Sequence, residues 1–335
     1  MVTNSIQMTL MKKSELIIYN EIPENNGFLV NPVVTIGNFD GIHGGHRKII
    51  KELISSSIKH NGVPVVITFK NHPRTLFLPE SPCRIITTAE EKHQILHSLG
   101  VNNIIMLQFT RELSNLTADQ FYNELLIDRL KVKEIVIGHD HAFGKNREGN
   151  IDYLMKLSEK TGIIVTRVEE EVCSDKVISS TFLRDEIDNG NMEMAAILLC
   201  KRYSLTGKVV KGAGRGKGLG FPTANILSDN ADKIVPGNGV YAASIKFSDN
   251  SVYYGMLNIG YTPTFDGKKR NIEINIFDFH RDIYGETVTI EFFKRVRDEI
   301  KFNSADSLIK QIKSDEIHIR EIFRRGEPAS TYQNS

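Results

Sequence analysis

Tryptophan is absent from this chain, cysteine occurs three times, and no apolar stretch approaches the ~20 residues that a membrane-spanning helix needs. The cysteines, Cys83, Cys173 and Cys200, are odd in number and far apart. That spacing suits neither a disulfide framework nor a zinc site, and it fits a reducing cytosol, so a cytoplasmic protein is expected. An excess of either charge is also lacking: 42 Lys and Arg stand against 41 Asp and Glu, a formal net of +1. No overall field draws the chain to nucleic acid or to a membrane, and any anion must be held by local charge. The opening MVTNSIQMTLMKKSELIIYN has no cationic segment ahead of a long apolar one, so no secretory signal is expected. Residues 1–10 read as an extension, with Met11 as an alternative start.

What is present is an ordinary globular composition, 40% hydrophobic and 25% charged over 335 residues. That length predicts two domains, here 15–190 and 203–325. Over 33–168, short β-rich runs (VVTIGNF, VPVVITF, NNIIMLQF, EIVIG, IIVTRV) alternate with helix-like stretches. Gly62 is placed to end the first helix, Thr87 and Thr88 to cap one over 89–99, and Thr117 with Gln120 to cap another running to about Leu130. The rhythm predicts an α/β doubly wound parallel sheet, apolar on both faces. From about 203 the pattern changes to strand-like runs with turns between them, an antiparallel barrel or sandwich. A terminal amphipathic helix from Ser304 to about Arg325 shows Leu308, Ile312, Ile319 and Ile322 on one stripe.

GNFDGIHGGH (37–46) falls where the first of these strands meets the first helix, the edge at which open α/β sheets bind ligands. Gly37, Asn38 and Asp40 lie in the turn. The helix start offers free N–H groups to a phosphate, and His43 and His46 could both donate to its oxygens as charge builds on phosphorus. An H-x-x-H metal pair, or two solvent-facing histidines in a glycine-rich turn, fits the same residues. ISSTFLR (178–184) places Ser179, Ser180 and Thr181 at a helix start and Arg184 one turn in, which suits a phosphate or a plain serine cap with a surface arginine.

KGAGRGKGLGFPTAN (211–225) opens with glycine at every second position and carries three cations and no acid. It fits neither the P-loop nor the G-x-G-x-x-G pattern. Lys211, Arg215 and Lys217 can surround phosphates while the backbone N–H groups of Gly212, Gly214, Gly216, Gly218 and Gly220 reach the oxygens. Thr223 and Asn225 are neutral oxygen donors suited to Mg²⁺ that already carries phosphate oxygens. In NIEINIFDF, alternation puts Ile272, Ile274 and Ile276 on one face and Glu273, Asn275, Phe277 and Phe279 on the other. A carboxylate there could take a proton from an alcohol.

TIGNFDGIHGGH resembles the G-x-F-D-x-x-H-x-G-H signature of the nucleotidyltransferase superfamily, and ISSTFLR its I-S-S-T-x-x-R. TFKNHPR (68–74) and GHDHAFGKNREG (138–149) are similar to loops that line flavin and adenine sites, which makes His72, Asp140 and Phe143 flavin-binding candidates. GLGFPTANI resembles the riboflavin kinase motif whose threonine and asparagine hold Mg²⁺-nucleotide, and the likeness runs on through GVYAA, NIGYTPTF, EINIFDF, YGETVTIEF and RDEIKF, where Arg297 is a further flavin candidate. Over about residues 15–325 the chain resembles the bifunctional riboflavin kinase/FMN adenylyltransferase (FAD synthetase) family. The resemblance implies a β-barrel for the second half and Glu273 as general base for the ribityl hydroxyl. It also implies His43 and His46 as the triphosphate-binding catalytic pair, Mg²⁺ with ATP in both steps, and riboflavin and FMN as the other substrates. A weak or transient homo-oligomer is compatible with it. Two positions depart from the family: Thr262 where arginine is usual, and Asn275 where histidine often stands. Loss of one activity, a flavin-binding module without turnover, and a different adenylyl acceptor are the rival readings.

Overall fold

The computed structural model describes residues 15–77, 84–212, 214–264 and 267–326. Expectations for residues 1–10, Met11 and Cys83, and for the side chains of Arg215, Lys217 and Thr262, lie outside the described residues. Two compact units emerge. One holds the described residues within Met1–Phe39, His46–Ser81 and Ala89–Glu170, the other those within Asp40–Gly45, Pro82–Thr88 and Glu171–Ser335.

The first unit is built on a six-stranded parallel sheet of β1 (Ile17–Tyr19), β2 (Val33–Ile36), β3 (Pro64–Phe69), β4 (Asn103–Leu107), β5 (Glu134–Gly138) and β6 (Ile164–Val168). Their order is β1-β4-β3-β2-β5-β6, so the chain winds outward from β2 in both directions. The inner strands β2 and β4 are buried at every residue, as apolar runs between two helix layers must be. The sequence pattern overlooks β1, because Ile-Ile-Tyr is too short to show a period and is stabilised by pairing with β4.

One helix end departs from expectation. The helix Gly44–Lys59 is followed by Asn61, not glycine, in the left-handed conformation (φ 48°). Gly62 is required instead by close approach, since a Cβ there would run into the Asn31 carbonyl. Thr87, one of the two capping candidates for the helix Ala89–Ser98, uses its hydroxyl to accept from Gly41 N (3.0 Å) and to donate to Asp40 (3.3 Å). Thr117 and Gln120 do form the expected box, each backbone N–H donating to the other's side chain at 3.1 Å. The helix they open, Gln120–Arg129, is wound wide, with Leu130 N bonding back five residues to Leu125 O.

In the second unit a small hairpin, β7 (Val172–Cys173) and β8 (Lys176–Val177), precedes a closed antiparallel barrel. Its strands are β9 (Ser204–Val210), β10 (Ala224–Ser228), β11 (Gly239–Lys246), β12 (Val252–Thr264), β13 (Gly267–Ile276) and β14 (Thr287–Arg297), in the order β10-β13-β12-β11-β14-β9. The pairing of β9 with β10 closes it and leaves no strand edge unpaired. Leu205, Tyr241, Leu257, Ile274, Ile290 and Phe292 fill the interior at 0% exposure. The terminal helix Ala305–Arg324, capped by Ser304, lays Ile312, Ile319 and Ile322 on the barrel against Val240, Met256 and Phe277. The strand alternation holds through Phe277 and then fails. Asp278 is left-handed (φ 55°), so Phe279 turns with Ile276 to the opposite side, packing on Phe247 and Tyr253.

Candidate active sites

After β2 the backbone is left-handed at Phe39 (φ 49°), Gly41 (φ 91°) and Ile42 (φ 44°). Bulky residues rarely adopt this conformation, at a cost of roughly 1–3 kcal/mol each, and here burial of Phe39 (2% exposed) and Ile42 (0%) enforces it. Such enforced strain marks built sites. His43 directly precedes the helix Gly44–Lys59 and is buried; His46 lies in its first turn, half-buried, with its ring edge-on to Phe39 at 5.1 Å.

Two motifs far apart in the chain meet at Asp40. One oxygen of its carboxylate accepts from Ile86 N (2.9 Å) and Thr87 N (3.0 Å), and the other faces Arg184 Nη2 at 2.6 Å. Ser180 Oγ donates to the Asp40 carbonyl (2.8 Å), Arg184 Nε donates to Arg84 O (2.9 Å), and Ser179 caps the helix Ser180–Asp188 through Phe182 N. Asp40 is thus the joint that ties the hydroxyl-rich helix start to the histidine turn, and Thr181 at that start is exposed. Gly37 and Asn38 are half-buried in the turn, with Asn38 O accepting from Thr68 Oγ1 (3.1 Å).

Aromatic rings gather at the carboxyl ends of β3, β4 and β5. Phe143 lies 3.9 Å from Phe121 and parallel to Phe69 (6.3 Å), which meets Phe109 edge-on. Beyond them Tyr122 OH and His141 Nε2 are 2.7 Å apart. Burial is the main cause that pushes His141 down to about 4, so the ring is neutral at pH 7 and the Tyr122 hydroxyl can donate to it. Of the loop candidates, His72 is half-buried with Nδ1 accepting from Arg74 N, and Asp140 is exposed. Sequence pattern singled out Phe143 but not the Tyr122–His141 pair, which lies 19 residues apart.

In the barrel, a cavity of about 430 Å³ is lined by Thr223, Glu273, Asn275 and Arg297 on its polar side and by Met256 and Phe302 on its apolar side. A second of about 290 Å³ is lined by Thr223, Ala224, Phe279, Arg281 and Tyr284. Among the described residues Thr223 alone borders both, and its hydroxyl donates to Glu273 Oε2 at 3.4 Å. Asn225 sits opposite Glu273 in the β10–β13 register. The loop glycines answer to these side chains. A Cβ on Gly212 would enter the Asn225 carboxamide, and one on Gly216 would strike Phe221 O and come within 3.1 Å of Thr223 Oγ1. Part of the loop, Arg215–Gly218, winds into a helical turn, while Lys211, Gly218 and Gly220 are exposed. Asn275 donates to Pro222 O (2.8 Å), so it braces the same loop from the strand.

Arg297 reaches the cavity wall tied to Asp315, 2.8 Å from Nη2 to Oδ2, with Gln311 Nε2 donating to the other oxygen (2.8 Å). Asp315 went unnoticed in the sequence. The signal was there: a carboxylate between Ile312 and Ile319 on an otherwise apolar stripe.

Comparison with known proteins covers both halves of the chain. The FAD synthetase family profile matches residues 27–182 and the riboflavin kinase profile residues 199–323. A bifunctional riboflavin kinase/FMN adenylyltransferase of Bacillus subtilis is 37% identical over 288 residues, covering 84% of this chain and 90% of the relative. That of Haemophilus influenzae is 34% identical over 290 residues, covering 87% and 94%. A crystal structure named macrolide-efflux protein, from Streptococcus pneumoniae, superimposes with a TM-score of 0.83 at 33% identity over 91% of this chain and 99% of that one. No helix among the described residues is long and apolar enough to cross a membrane. With matched signatures in both halves and relatives similar over most of its length, the chain belongs to the bifunctional riboflavin kinase/FMN adenylyltransferase family.

Proposed function

We propose that this chain makes FAD from riboflavin in two steps, each consuming ATP. The observation that carries the reading is the Thr223–Glu273 contact at the junction of two cavities in one barrel. We assign phosphorylation to 203–325 and adenylyl transfer to 15–190, both in the cytoplasm and both on small molecules.

In the first step riboflavin occupies the larger cavity, its ring among Met256, Phe302 and Leu308, and ATP the smaller one. Glu273 takes the proton of the ribityl 5′-hydroxyl as that oxygen attacks the γ-phosphorus, giving FMN and ADP. Thr223 and Asn225 offer neutral oxygens beside that carboxylate, a donor set that fits Mg²⁺. No group of three His, Cys, Asp or Glu among the described residues could hold a metal, so the pair would bind it together with phosphate oxygens. When bound, Mg²⁺ supplies charge neutralisation on the transferring phosphoryl group. Lys211, Lys217 and the N–H groups of Gly216, Gly218 and Gly220 cover the phosphates.

In the second step a phosphate oxygen of FMN attacks the α-phosphorus of another ATP and pyrophosphate leaves. No protein nucleophile is needed. His43 and His46 donate to the oxygens on which charge builds, and the helix start contributes N–H groups. Asp40, bound by Arg184 and by two backbone N–H groups, fixes the turn that presents them. His72, Asp140 and Phe143 flank the flavin.

The test is direct: incubate pure protein with riboflavin, ATP and Mg²⁺ and follow FMN and FAD by chromatography. FMN should rise first and FAD after it. Absence of both products from folded protein would overturn the reading.

A further inference from the structure

Lys92, on the helix Ala89–Ser98, is 4% exposed, a rare fate for lysine. Its ammonium reaches the carboxyl ends of two strands of the parallel sheet. Nζ donates to Asn38 O (2.7 Å), to Thr68 Oγ1 (3.2 Å) and to Phe69 O (3.3 Å). Thr68, itself 0% exposed, donates its hydroxyl to the same Asn38 carbonyl at 3.1 Å. A single carbonyl in the ligand turn therefore receives two buried donors, one of them charged.

That carbonyl belongs to the peptide that leads into Phe39, the left-handed residue whose ring packs edge-on against His46. Because a trans peptide is planar, fixing the Asn38 C=O also fixes the direction of the Phe39 N–H and limits how the strained residue can turn. Gly37 leaves the Phe39 ring its place, since a Cβ there would sit 3.1 Å from Phe39 Cε2. The path is short and physical: ammonium, carbonyl, strained peptide, aromatic ring, imidazole.

We propose that Lys92 is a positioning residue for adenylyl transfer, holding His46 through Asn38 and Phe39 in the orientation that meets the transition state. The inference rests on the proposed adenylyl transfer and adds to it a group that touches no substrate. A charge-assisted hydrogen bond in a buried site holds its acceptor more firmly than a neutral one, which explains why a lysine and not another apolar residue occupies this helix position.

The test compares wild type, Lys92→Met, Lys92→Arg and Thr68→Val for FAD formation from FMN and ATP, with riboflavin phosphorylation measured on the same preparations. A loss confined to transition-state contacts lowers kcat without moving KM, so Lys92→Met should lose about tenfold or more in the kcat of adenylyl transfer at a nearly constant KM for ATP. Riboflavin phosphorylation should be unchanged, and Lys92→Arg should recover part of the loss. Thr68→Val, which keeps the charge and removes one donor from Asn38, should lose about threefold in the same kcat, and it decides the matter if Lys92→Met does not fold. A folded Lys92→Met with wild-type kcat overturns the inference. So does a parallel fall of both activities, which would mark Lys92 as a general stabiliser. Wild type that makes no FAD from supplied FMN would instead remove the functional reading on which the inference stands.

Discussion

The Thr223 hydroxyl donates to Glu273 Oε2 across 3.4 Å, at the one residue that borders both barrel cavities among those described. In the proposed reading Glu273 is the general base, and this hydroxyl fixes where its carboxylate points. Glu273→Gln keeps the shape and removes the basicity. Loss of a general base costs about 10²–10⁴ in rate, so FMN formation should fall by that factor while FAD formation from supplied FMN is retained. A rate assay with each substrate supplied separately reads both.

The complementary substitution is His46→Ala. It should cut FAD formation by about 10² or more, as expected for removing a donor to developing charge, and leave riboflavin phosphorylation intact. If either single substitution abolished both activities in folded protein, two independent sites would be the wrong description.

Gly216→Ala tests the loop. The added methyl would strike Phe221 O and crowd Thr223 Oγ1, so Thr223 must move. The kinase KM for ATP should rise about tenfold, the scale of ~1.4 kcal/mol, with adenylyl transfer unaffected.

The ion pair of Arg297 with Asp315 is nearly enclosed, at 17% and 4% side-chain exposure. Removing one partner of such a pair strands the other, so Asp315→Leu should destabilise the protein by about 3–5 kcal/mol, and the double variant Arg297→Met/Asp315→Leu should regain most of that. Denaturant unfolding measures both, and a double variant no better than the single would show that the pairing is not what Asp315 supplies.

Acid stability should report His141. In the folded state burial, opposed by Asp140 and aided by Arg147, brings it to about 4, whereas the unfolded chain has the ordinary 6.5. Between those values the unfolded state binds more protons, so stability falls as pH drops from about 6.5 to about 4, by roughly 1–3 kcal/mol. The double variant Tyr122→Phe/His141→Phe removes the titrating ring together with its hydroxyl partner and should flatten that limb of an unfolding-versus-pH curve.

Periodicity made the parallel sheet and the terminal helix legible, because strands buried on both faces and a helix on one stripe each leave a repeat in the sequence. Motif spacing made the two site regions legible for the same local reason. What stayed hidden depends on contacts between distant residues. β1 exists by pairing with β4, Asp315 is explained by meeting Arg297, and the Thr87 hydroxyl by meeting Asp40. The reversal at Phe279 follows from one left-handed residue, Asp278, which no alternation rule anticipates.

The cavities flanking Thr223 share that residue and, among the described residues, no other. On the proposed reading, riboflavin and ATP therefore take separate seats that meet at a single side chain. Each ligand is then expected to bind the protein in the absence of the other, and equilibrium titration with riboflavin alone and with ATP alone checks it.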